Sequence, residues 1–389
     1  MPHPQSPVVD LVYFNAGGGH RASAQALQAV LNERRPHWRV RAVNLFEMLD
    51  PQGSFRRATG FAPEDVYNHR LKRGWTLGLA QELKLLQGMI RLAHPSLVRS
   101  LAQHWETTAP DLVVSLIPNF NRALAQGVAT ARPGVPFVTV LTDLADHPPN
   151  FWIEPGADQH LVCATAKALG QARSMGVPDA RIHLSSGMII RPEFYGAPMP
   201  DRDAELRRLG LDPARPTGIV LFGGQGSRAM ATIARRLAQV QLIFICGHNA
   251  ALARRIEALP AGAPRLVLGF TPDVAHYMRL ADFFVGKPGP GSVSEALRCG
   301  LPVLVVRNAW TMPQERYNAD WILEQRVGVV HDRYRSIDLA ALRLLAQLDD
   351  LRRNVRRLDN RAVFEIVEIL ARLLDRRATP ERSQAVEFA

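Results

Sequence analysis

The chain repeats one pattern along most of its length, a short apolar run followed by a longer amphipathic segment. The runs of a first series lie between residues 8 and 184, and those of a second series lie between residues 218 and 307. Because the runs are apolar throughout rather than alternating, they predict parallel strands that helices bury on both faces. The predicted fold class is α/β, with two doubly wound, Rossmann-like domains that face a cleft.

A segment rich in proline and charge separates the two series. Residues 191–216 contain five prolines, and a new strand–helix series begins directly after them. A length of 389 residues also agrees with two domains. We therefore predict a first domain over residues 1–195, a second domain over 196–377 and a flexible tail over 378–389.

The formal net charge of +11 indicates an anionic partner, which is a nucleic acid, a phosphate-bearing ligand or an acidic membrane surface. The arginines lack interleaved stacking aromatics, so we expect no nucleic-acid partner. Residues 51–100, an insert without strand candidates, hold eight Lys and Arg against three Asp and Glu. This insert predicts either an extra helix pair with a solvated basic face or an element that binds anionic lipid headgroups. The membrane candidates are Arg70, Lys72, Arg73 and Trp75, followed by an apolar stripe of Leu79, Leu83, Leu86 and Ile90.

Several patterns are missing from the sequence. The three cysteines form no CxxC pair, and His20, His147 and His160 lack ligand spacing, so neither a zinc site nor a disulfide framework is expected. No run reaches the roughly 18 apolar residues that span a bilayer. The first residues do not have the pattern of a signal peptide. We expect a cytoplasmic protein that associates with a membrane peripherally.

Each predicted domain begins with a glycine-rich turn between its first strand and its first helix. In the first domain the turn predicts either a phosphate-binding loop or a plain tight turn, and its spacing is not the dinucleotide fingerprint. His20, which follows the turn, could act as a base or orient an acceptor. We expect at least one of the two turns to face phosphate. The turn residues are Gly17, Gly18 and Gly19 in the first domain and Gly223, Gly224, Gln225 and Ser227 in the second.

The segment 286–315 carries the most specific pattern. A predicted strand ends in a loop with Gly289 and Gly291, and a helix begins near Ser292, whose free N–H groups suit a diphosphate. Glu295, one turn into this helix, is either a ligand of a ribose diol or an acidic residue favoured by the helix dipole. Beyond the next strand, the pair Gln314 and Glu315 is placed to bind sugar hydroxyls.

Four stretches resemble one family: GGGHRASA at 17–24, LTDLADHPPNFW at 141–152, ICGHN at 245–249 and KPGPGSVSEALRCGLPV at 287–303. They resemble the glycolipid-forming glycosyltransferases, namely the monogalactosyldiacylglycerol synthases and the bacterial processive diacylglycerol glucosyltransferases. The peptidoglycan lipid II N-acetylglucosaminyltransferase is similar more distantly. The resemblance spans nearly the whole chain. The plant synthases have Thr-Cys where this chain has Ala145-Asp146, and the loop 308–312 also differs.

The resemblance implies a GT-B fold, a UDP-sugar in the C-terminal domain, a lipid acceptor on the N-terminal domain and inversion at the anomeric carbon. It implies no metal cofactor, because loop amides and helix dipoles can stabilise the leaving UDP. It also implies that Phe270 and its neighbours bind uracil through backbone groups. Phe151, Trp152 and Trp75 are either core residues or contacts of the acceptor.

Inversion requires one base that takes the proton of the acceptor hydroxyl. Asp143 and His147 follow the strand candidate 137–141, at the edge of the sheet where the cleft is expected. Asp143 is the preferred base, and His20 then positions the acceptor or a phosphate. The reverse assignment stays open, as does a role of Asp143 as a turn cap.

The leading hypothesis is an inverting transferase that moves galactose or glucose from a UDP-sugar to a diacylglycerol-type lipid at the inner face of the plasma membrane. One alternative is a transferase that uses UDP-N-acetylglucosamine on another lipid-linked acceptor. Others are an enzyme like the UDP-N-acetylglucosamine 2-epimerases and a non-catalytic nucleotide-binding module. The sequence leaves the sugar, the acceptor and the oligomeric state open.

Overall fold

The computed structural model describes residues 6–15, 19–50, 52–53, 57, 79–196 and 201–378. Over these residues the chain forms two parallel β-sheets of six strands each. The first sheet has the strand order β2-β1-β3-β4-β5-β6. Its strands are Val8–Tyr13 (β1), Arg39–Asn44 (β2), Leu112–Ser115 (β3), Phe137–Val140 (β4), His160–Cys163 (β5) and Ile182–Leu184 (β6).

Helices cover both faces of the first sheet. They are Gly19–Arg34 (α1), Leu45–Leu49 (α2), Leu79–Thr108 (α3), Asn121–Ala131 (α4) and Ala166–Ser174 (α5). On one face, Leu27 and Leu31 of α1 are fully buried against β1. On the other face, α3 packs through Leu101 and Trp105 against α4. An added Cβ at Gly127 of α4 would lie 2.9 Å from Cβ of Leu101, so the close approach of the two helices requires glycine there.

The second sheet has the strand order β12-β11-β10-β7-β8-β9. Its strands are Thr217–Leu221 (β7), Gln241–Ile245 (β8), Arg265–Leu268 (β9), Phe283–Gly286 (β10), Val303–Val306 (β11) and Gly328–His331 (β12). The helices that follow the first domain are Arg202–Arg208 (α6), Ala229–Arg236 (α7), Ala250–Glu257 (α8), Val274–Leu280 (α9), Pro290–Arg298 (α10), Arg316–Glu324 (α11), Ile337–Ala346 (α12), Leu348–Val355 (α13) and Ala362–Ala378 (α14). Ile219 and Val220 of β7 point into different apolar clusters, as expected for a strand that is buried on both faces.

The predicted α/β class with two doubly wound domains is confirmed. The strand candidates of the sequence correspond to β1 through β11, with ends that differ by at most two residues. The sequence did not predict β12. This strand lies at the edge of its sheet, has only four residues and is buried over only two of them, so its apolar signal is weak.

The last helix, α14, leaves the second sheet and packs in the core of the first domain. Ile366, Val367 and Leu370 join the apolar cluster of β1 and α1. A salt bridge of 2.8 Å between Arg35 and Glu368 ties the same helix to the end of α1. The domain prediction 196–377 is therefore corrected for residues 362–377, because an amphipathic pattern does not reveal which core a helix covers. Of the predicted tail 378–389, only Ala378 lies within the described residues.

The insert 51–100 is described in part. Its membrane candidates Arg70, Lys72, Arg73 and Trp75 lie outside the described residues. Most of the described part belongs to α3, which contains Pro95. Among the residues that the structure describes, no helix is long and apolar enough to span a membrane.

One side of α3 exposes apolar side chains. Leu85, Met89 and Leu92 are 68%, 59% and 86% exposed, and their spacing places them along one face of the helix. Leu83 and Ile90, two members of the predicted apolar stripe, instead pack partly buried against the core clusters of the first domain. The helix therefore presents apolar surface both to the core and to solvent.

Candidate active site

The strand order reverses once in each sheet. The reversal lies between β1 and β3 in the first sheet and between β7 and β10 in the second. At such a point the following loops diverge to opposite faces and leave a crevice at the carboxyl ends of the strands, where these folds bind ligands. The sequence candidates follow β1 and β4 in the first sheet and β7, β9, β10 and β11 in the second, so they lie at these edges.

His20 lies in the first turn of α1, at the crevice between β1 and β3. Its Nδ1 is 2.9 Å from the carbonyl oxygen of Leu116 and 3.1 Å from Oγ1 of Thr142. Because a carbonyl only accepts hydrogen bonds, Nδ1 carries the proton, and Nε2 keeps a lone pair that no described residue binds. Burial lowers the pKa of His20 to about 4, although the hydrogen bond to Leu116 opposes the shift. The ring is therefore neutral near pH 7.

Asp143 follows β4 and is 6% exposed. Its Oδ2 accepts a hydrogen bond of 3.0 Å from Nε1 of Trp152, whose ring centre is 5.9 Å from that of His20. Burial raises the pKa of Asp143 to about 7 against this hydrogen bond; Glu315 of the second domain adds to the shift and Lys287 opposes it. Asp143 therefore titrates near neutrality and is influenced by charges across the cleft.

Asp146 organises the loop between Asp143 and Trp152, a role that the sequence analysis missed. It is fully buried, and its carboxylate accepts hydrogen bonds from the backbone N–H groups of Asn150 (3.0 Å), Phe151 (2.9 Å) and Trp152 (2.6 Å). These bonds fix the indole that binds Asp143. Phe151 and Trp152 are buried in the first domain, so the structure places both in the core.

A cleft of about 370 Å³ lies between the two domains. Its walls are mostly apolar, and its lining residues are Leu83 and Gln87 of α3, His147, Pro148 and Pro149 of the loop after β4, and Pro313 and Arg316 of the second domain. His147 thus lines the interdomain cleft, whereas Asp143 and His20 meet at Trp152.

The glycine loop after β7 lies against the loop after β8. Gly223 and Gly226 have φ angles of 70° and 62°, which glycine adopts freely. The carbonyl of Gly224 accepts a hydrogen bond of 2.9 Å from the N–H of His248. An added Cβ at Gly247 would lie 2.2 Å from that carbonyl oxygen. At Gly223 and Gly224 an added Cβ would meet nothing within 4 Å, so the loop faces open space.

The remaining candidates of this edge frame the same loop. The carbonyl of Gln225 accepts a hydrogen bond of 3.4 Å from Asn249, and Oγ of Ser227 accepts one of 3.3 Å from the N–H of Ala229. Phe270, 62% exposed after β9, stacks on His248 with ring centres 4.2 Å apart and planes inclined by 13°. The edge therefore combines open backbone with an exposed flat aromatic pair.

Helix α10 begins with an N-terminus that no side chain caps. Gly289 is its N-cap residue and Pro290 its first helical residue, an arrangement in which the fixed φ of proline favours the helix. Gly291 is exposed, with nothing within 4 Å of an added Cβ, and Ser292 is half-buried. The first N–H groups of this helix can therefore bind an anion.

Both acidic candidates of the second domain are paired with a cation. Nζ of Lys287 lies 2.6 Å from Oε1 of Glu315, which is buried. Oε1 of Glu295 lies 3.3 Å from Nε of Arg191. Burial raises the pKa of Glu295 to about 7, and Arg191 opposes the shift. Gln314 precedes Glu315 in a short 3₁₀ helix and is half-buried.

The structure thus brings His20 and Asp143 together in the first domain, and the glycine loops, Phe270 and α10 together along the edge of the second. Of the first glycine turn, Gly17 and Gly18 lie outside the described residues, and Gly19 is the exposed first residue of α1. Within the described ranges, no group of three or more His, Cys, Asp and Glu side chains could hold a metal ion.

Sequence comparison relates the chain to known enzymes. Residues 219–369 match the glycosyltransferase family 28 C-terminal domain. The chain is 27% identical over 411 residues to a protein of Oryza sativa subsp. japonica named probable monogalactosyldiacylglycerol synthase 2, chloroplastic. This match covers 96% of this chain and 82% of the rice protein. It is also 27% identical over 347 residues to the chloroplastic monogalactosyldiacylglycerol synthase of Spinacia oleracea. That match covers 84% of this chain and 64% of the spinach protein.

Solved structures share the fold at lower sequence identity. The crystal structure of Acinetobacter baumannii MurG superposes with a TM-score of 0.60 at 12% identity, over 94% of this chain and 99% of that chain. The co-structure of S. aureus MnaA with UDP superposes with a TM-score of 0.57 at 13% identity, over 95% of this chain and 97% of that chain. The chain therefore has a GT-B fold, carries a region similar to the glycosyltransferase family 28 C-terminal domain, and is homologous to the monogalactosyldiacylglycerol synthases of plants.

Proposed function

We propose that the protein transfers galactose or glucose, with inversion, from a UDP-sugar to a diacylglycerol-type lipid acceptor at a membrane surface. One observation carries the proposal: Asp143, a buried carboxyl with a pKa raised to about 7 by burial, is within electrostatic range of Lys287 and Glu315 on the opposite domain. A base that titrates near neutrality thus faces the edge on which the candidate donor residues lie.

The donor site in this proposal lies on the second sheet. The diphosphate binds at the N-terminus of α10 and along the glycine loop after β7, where backbone N–H groups face open space. Uracil binds beside Phe270. Glu295 accepts hydrogen bonds from the ribose diol, and Gln314 and Glu315 bind the sugar hydroxyls. The family 28 match over residues 219–369 and the fold shared with a UDP-bound protein support this assignment.

The base in this proposal is Asp143. As its Oδ atom takes the proton of the acceptor hydroxyl, the hydroxyl oxygen attacks C1 of the sugar from the face opposite UDP, and the C1–O bond to the diphosphate breaks. His20 orients the acceptor through Nε2. The reverse assignment, with His20 as base, is supported by its free lone pair and neutral ring. The two assignments differ in the pH dependence of turnover.

The leaving UDP needs a positive environment as the bond breaks. We assign this to the N-terminus of α10 and to Lys287, without a metal cofactor. Turnover that persists in EDTA supports this assignment, and turnover restored by Mg²⁺ or Mn²⁺ after EDTA treatment contradicts it.

The acceptor in this proposal enters along α3. This helix lines the apolar interdomain cleft through Leu83 and Gln87 and exposes Leu85, Met89 and Leu92 to solvent nearby. The exposed Arg91 and Arg99 of the same helix, with the net charge of +11, complement an anionic lipid surface. A lipid could therefore keep its acyl chains in the membrane while its hydroxyl reaches the cleft.

The experiment that tests the function offers UDP-glucose, UDP-galactose and UDP-N-acetylglucosamine separately, each with vesicles of diacylglycerol and anionic phospholipid and with EDTA present. A glycolipid product from UDP-glucose or UDP-galactose is the expected result. A glycolipid from UDP-N-acetylglucosamine alone would replace the donor assignment. An isomerised nucleotide sugar without UDP release would indicate an epimerase, and no UDP binding at all would contradict the donor site.

A further inference from the structure

Arg191 lies in the segment that joins the two domains, and no step of the proposed transfer has used it so far. Its Nε is 3.3 Å from Oε1 of Glu295 on α10, and its Nη1 is 3.3 Å from Oε1 of Glu193. Its guanidinium carbon lies 5.0 Å from the ring centre of Phe194. The side chain is therefore held by Glu295 of the donor domain and by two residues of its own segment.

Glu295 is chemically unsuited to its proposed role unless its charge is maintained. Burial raises the pKa of this carboxyl to about 7; Arg191 opposes the shift, and Glu193 adds to it. The third titratable neighbour, Cys299, stays neutral, since burial raises the pKa of its thiol to about 11. A ribose diol offers two O–H donors, which a carboxylate accepts with both oxygens, whereas a protonated carboxyl presents a donor of its own.

The geometry leaves room for such a diol. Arg191 binds Oε1 of Glu295, and no described residue bonds to Oε2. No side chain, that of Arg191 included, caps the N-terminus of α10, where the diphosphate is proposed to bind. One cation can thus hold the carboxylate from one side while its other side stays open to a ligand.

We propose that Arg191 is a positioning residue for the donor nucleotide, which keeps Glu295 ionised and orients it toward the ribose hydroxyls. The inference rests on the proposed function, because it takes Glu295 as the ribose ligand. It also links the donor site to a residue outside the donor domain. Since Arg191 belongs to the interdomain segment, donor affinity depends on the placement of that segment against α10.

The test measures the dissociation constant of UDP by calorimetry between pH 5.5 and 9 for the wild type and for Arg191→Gln, Arg191→Lys and Glu295→Gln. The Glu295→Gln curve reports the titration of UDP itself and serves as the reference. Arg298→Gln is the matched control, because it removes a positive charge from α10 itself and Arg298 contacts the ring of Tyr195 rather than Glu295.

We expect Arg191→Gln to move the pH midpoint of UDP affinity upward by about one unit, since losing one charged hydrogen bond shifts a carboxyl pKa by this order. Affinity then falls about fivefold at pH 7, because the wild-type carboxyl is itself about half ionised there, and it recovers at pH 9. Arg191→Lys should restore most of the wild-type curve, and Arg298→Gln should match the wild type. Glu193→Gln, which removes a half-exposed carboxylate, should move the midpoint downward.

Three results would overturn the inference. One is an Arg191→Gln variant that loses the same factor of affinity at every pH, which is the signature of a purely structural role. The second is an unchanged curve. The third result decides the matter if Arg191→Gln does not fold. It is a pH midpoint of UDP affinity that is unchanged or raised in Glu193→Gln. A Glu295→Gln variant with wild-type affinity at all pH values is a different failure, because it removes the ribose assignment itself.

Discussion

The two crevices of the molecule have the same topology and opposite character. At the reversal of the first sheet, His20 and Asp143 are desolvated. Burial lowers the pKa of His20 and raises that of Asp143, so it favours the neutral form of each. At the reversal of the second sheet, Gly223, Gly224 and Gly291 face open space. A closed, aromatic crevice sets proton affinities, whereas an open one presents N–H groups to a large anion. The difference agrees with the proposed division, in which the first domain transfers the proton and the second binds the nucleotide.

The largest expected effect separates the two roles on the first domain. Asp143→Asn keeps the hydrogen bond from Trp152 but cannot take a proton, so turnover should fall by about 10²–10⁴-fold, the usual contribution of a general base. The UDP dissociation constant, measured by calorimetry, should stay at the wild-type value. Near-normal turnover would transfer the base role to His20, and a loss of UDP binding would contradict the division between the crevices.

The pH dependence of turnover identifies the base. If Asp143 must be ionised, kcat/KM should fall tenfold per unit below the pKa of about 7 that burial imposes, which is about 100-fold at pH 5. His20, with a pKa lowered to about 4 by burial, would instead leave the profile flat from pH 5 to 8. Initial rates at saturating lipid over this range distinguish the two. A flat profile would exclude Asp143 as the base.

The opposite pattern is expected on the second domain. Glu295→Ala removes a charged acceptor of the ribose diol and should weaken UDP binding by about 1–3 kcal/mol. Turnover at saturating donor should change much less than in Asp143→Asn. The matched control is Glu257→Ala, which removes a carboxylate from α8, away from α10. Equal UDP affinity in Glu295→Ala and the wild type would leave Glu295 as a structural partner of Arg191.

The smallest expected effect concerns the membrane surface. Leu92→Ser on α3 should weaken binding to anionic vesicles by about 1–2 kcal/mol, since it removes one leucine from apolar burial. Leu342→Ser on α12, where the leucine is similarly exposed on the second domain, should bind like the wild type. Vesicle co-sedimentation at several salt concentrations measures both. Equal losses would mean that apolar exposure alone, rather than the face of α3, determines binding.

The sequence predicted the parts of the molecule that depend on local pattern. The strands β1 to β11, the glycine turn after β7 and the start of α10 follow from apolar runs, glycine and proline, so their positions were accessible. Asp146 was not recognised, because its carboxylate binds backbone N–H groups of the next loop, and a single aspartate gives no sign of such a network. Arg191 was missed for a related reason, since its partner Glu295 is 104 positions away. Long-range pairing of this kind is determined by topology.

The return of α14 to the first sheet has a consequence for how the chain is made. The apolar cluster of β1 and α1 is completed by residues from Ala362 to Leu374, which are synthesised after the whole of the second sheet. During synthesis the second domain can therefore finish its own core before the first one does, contrary to the usual order. Until then, Leu27 and its neighbours on α1 are partly uncovered.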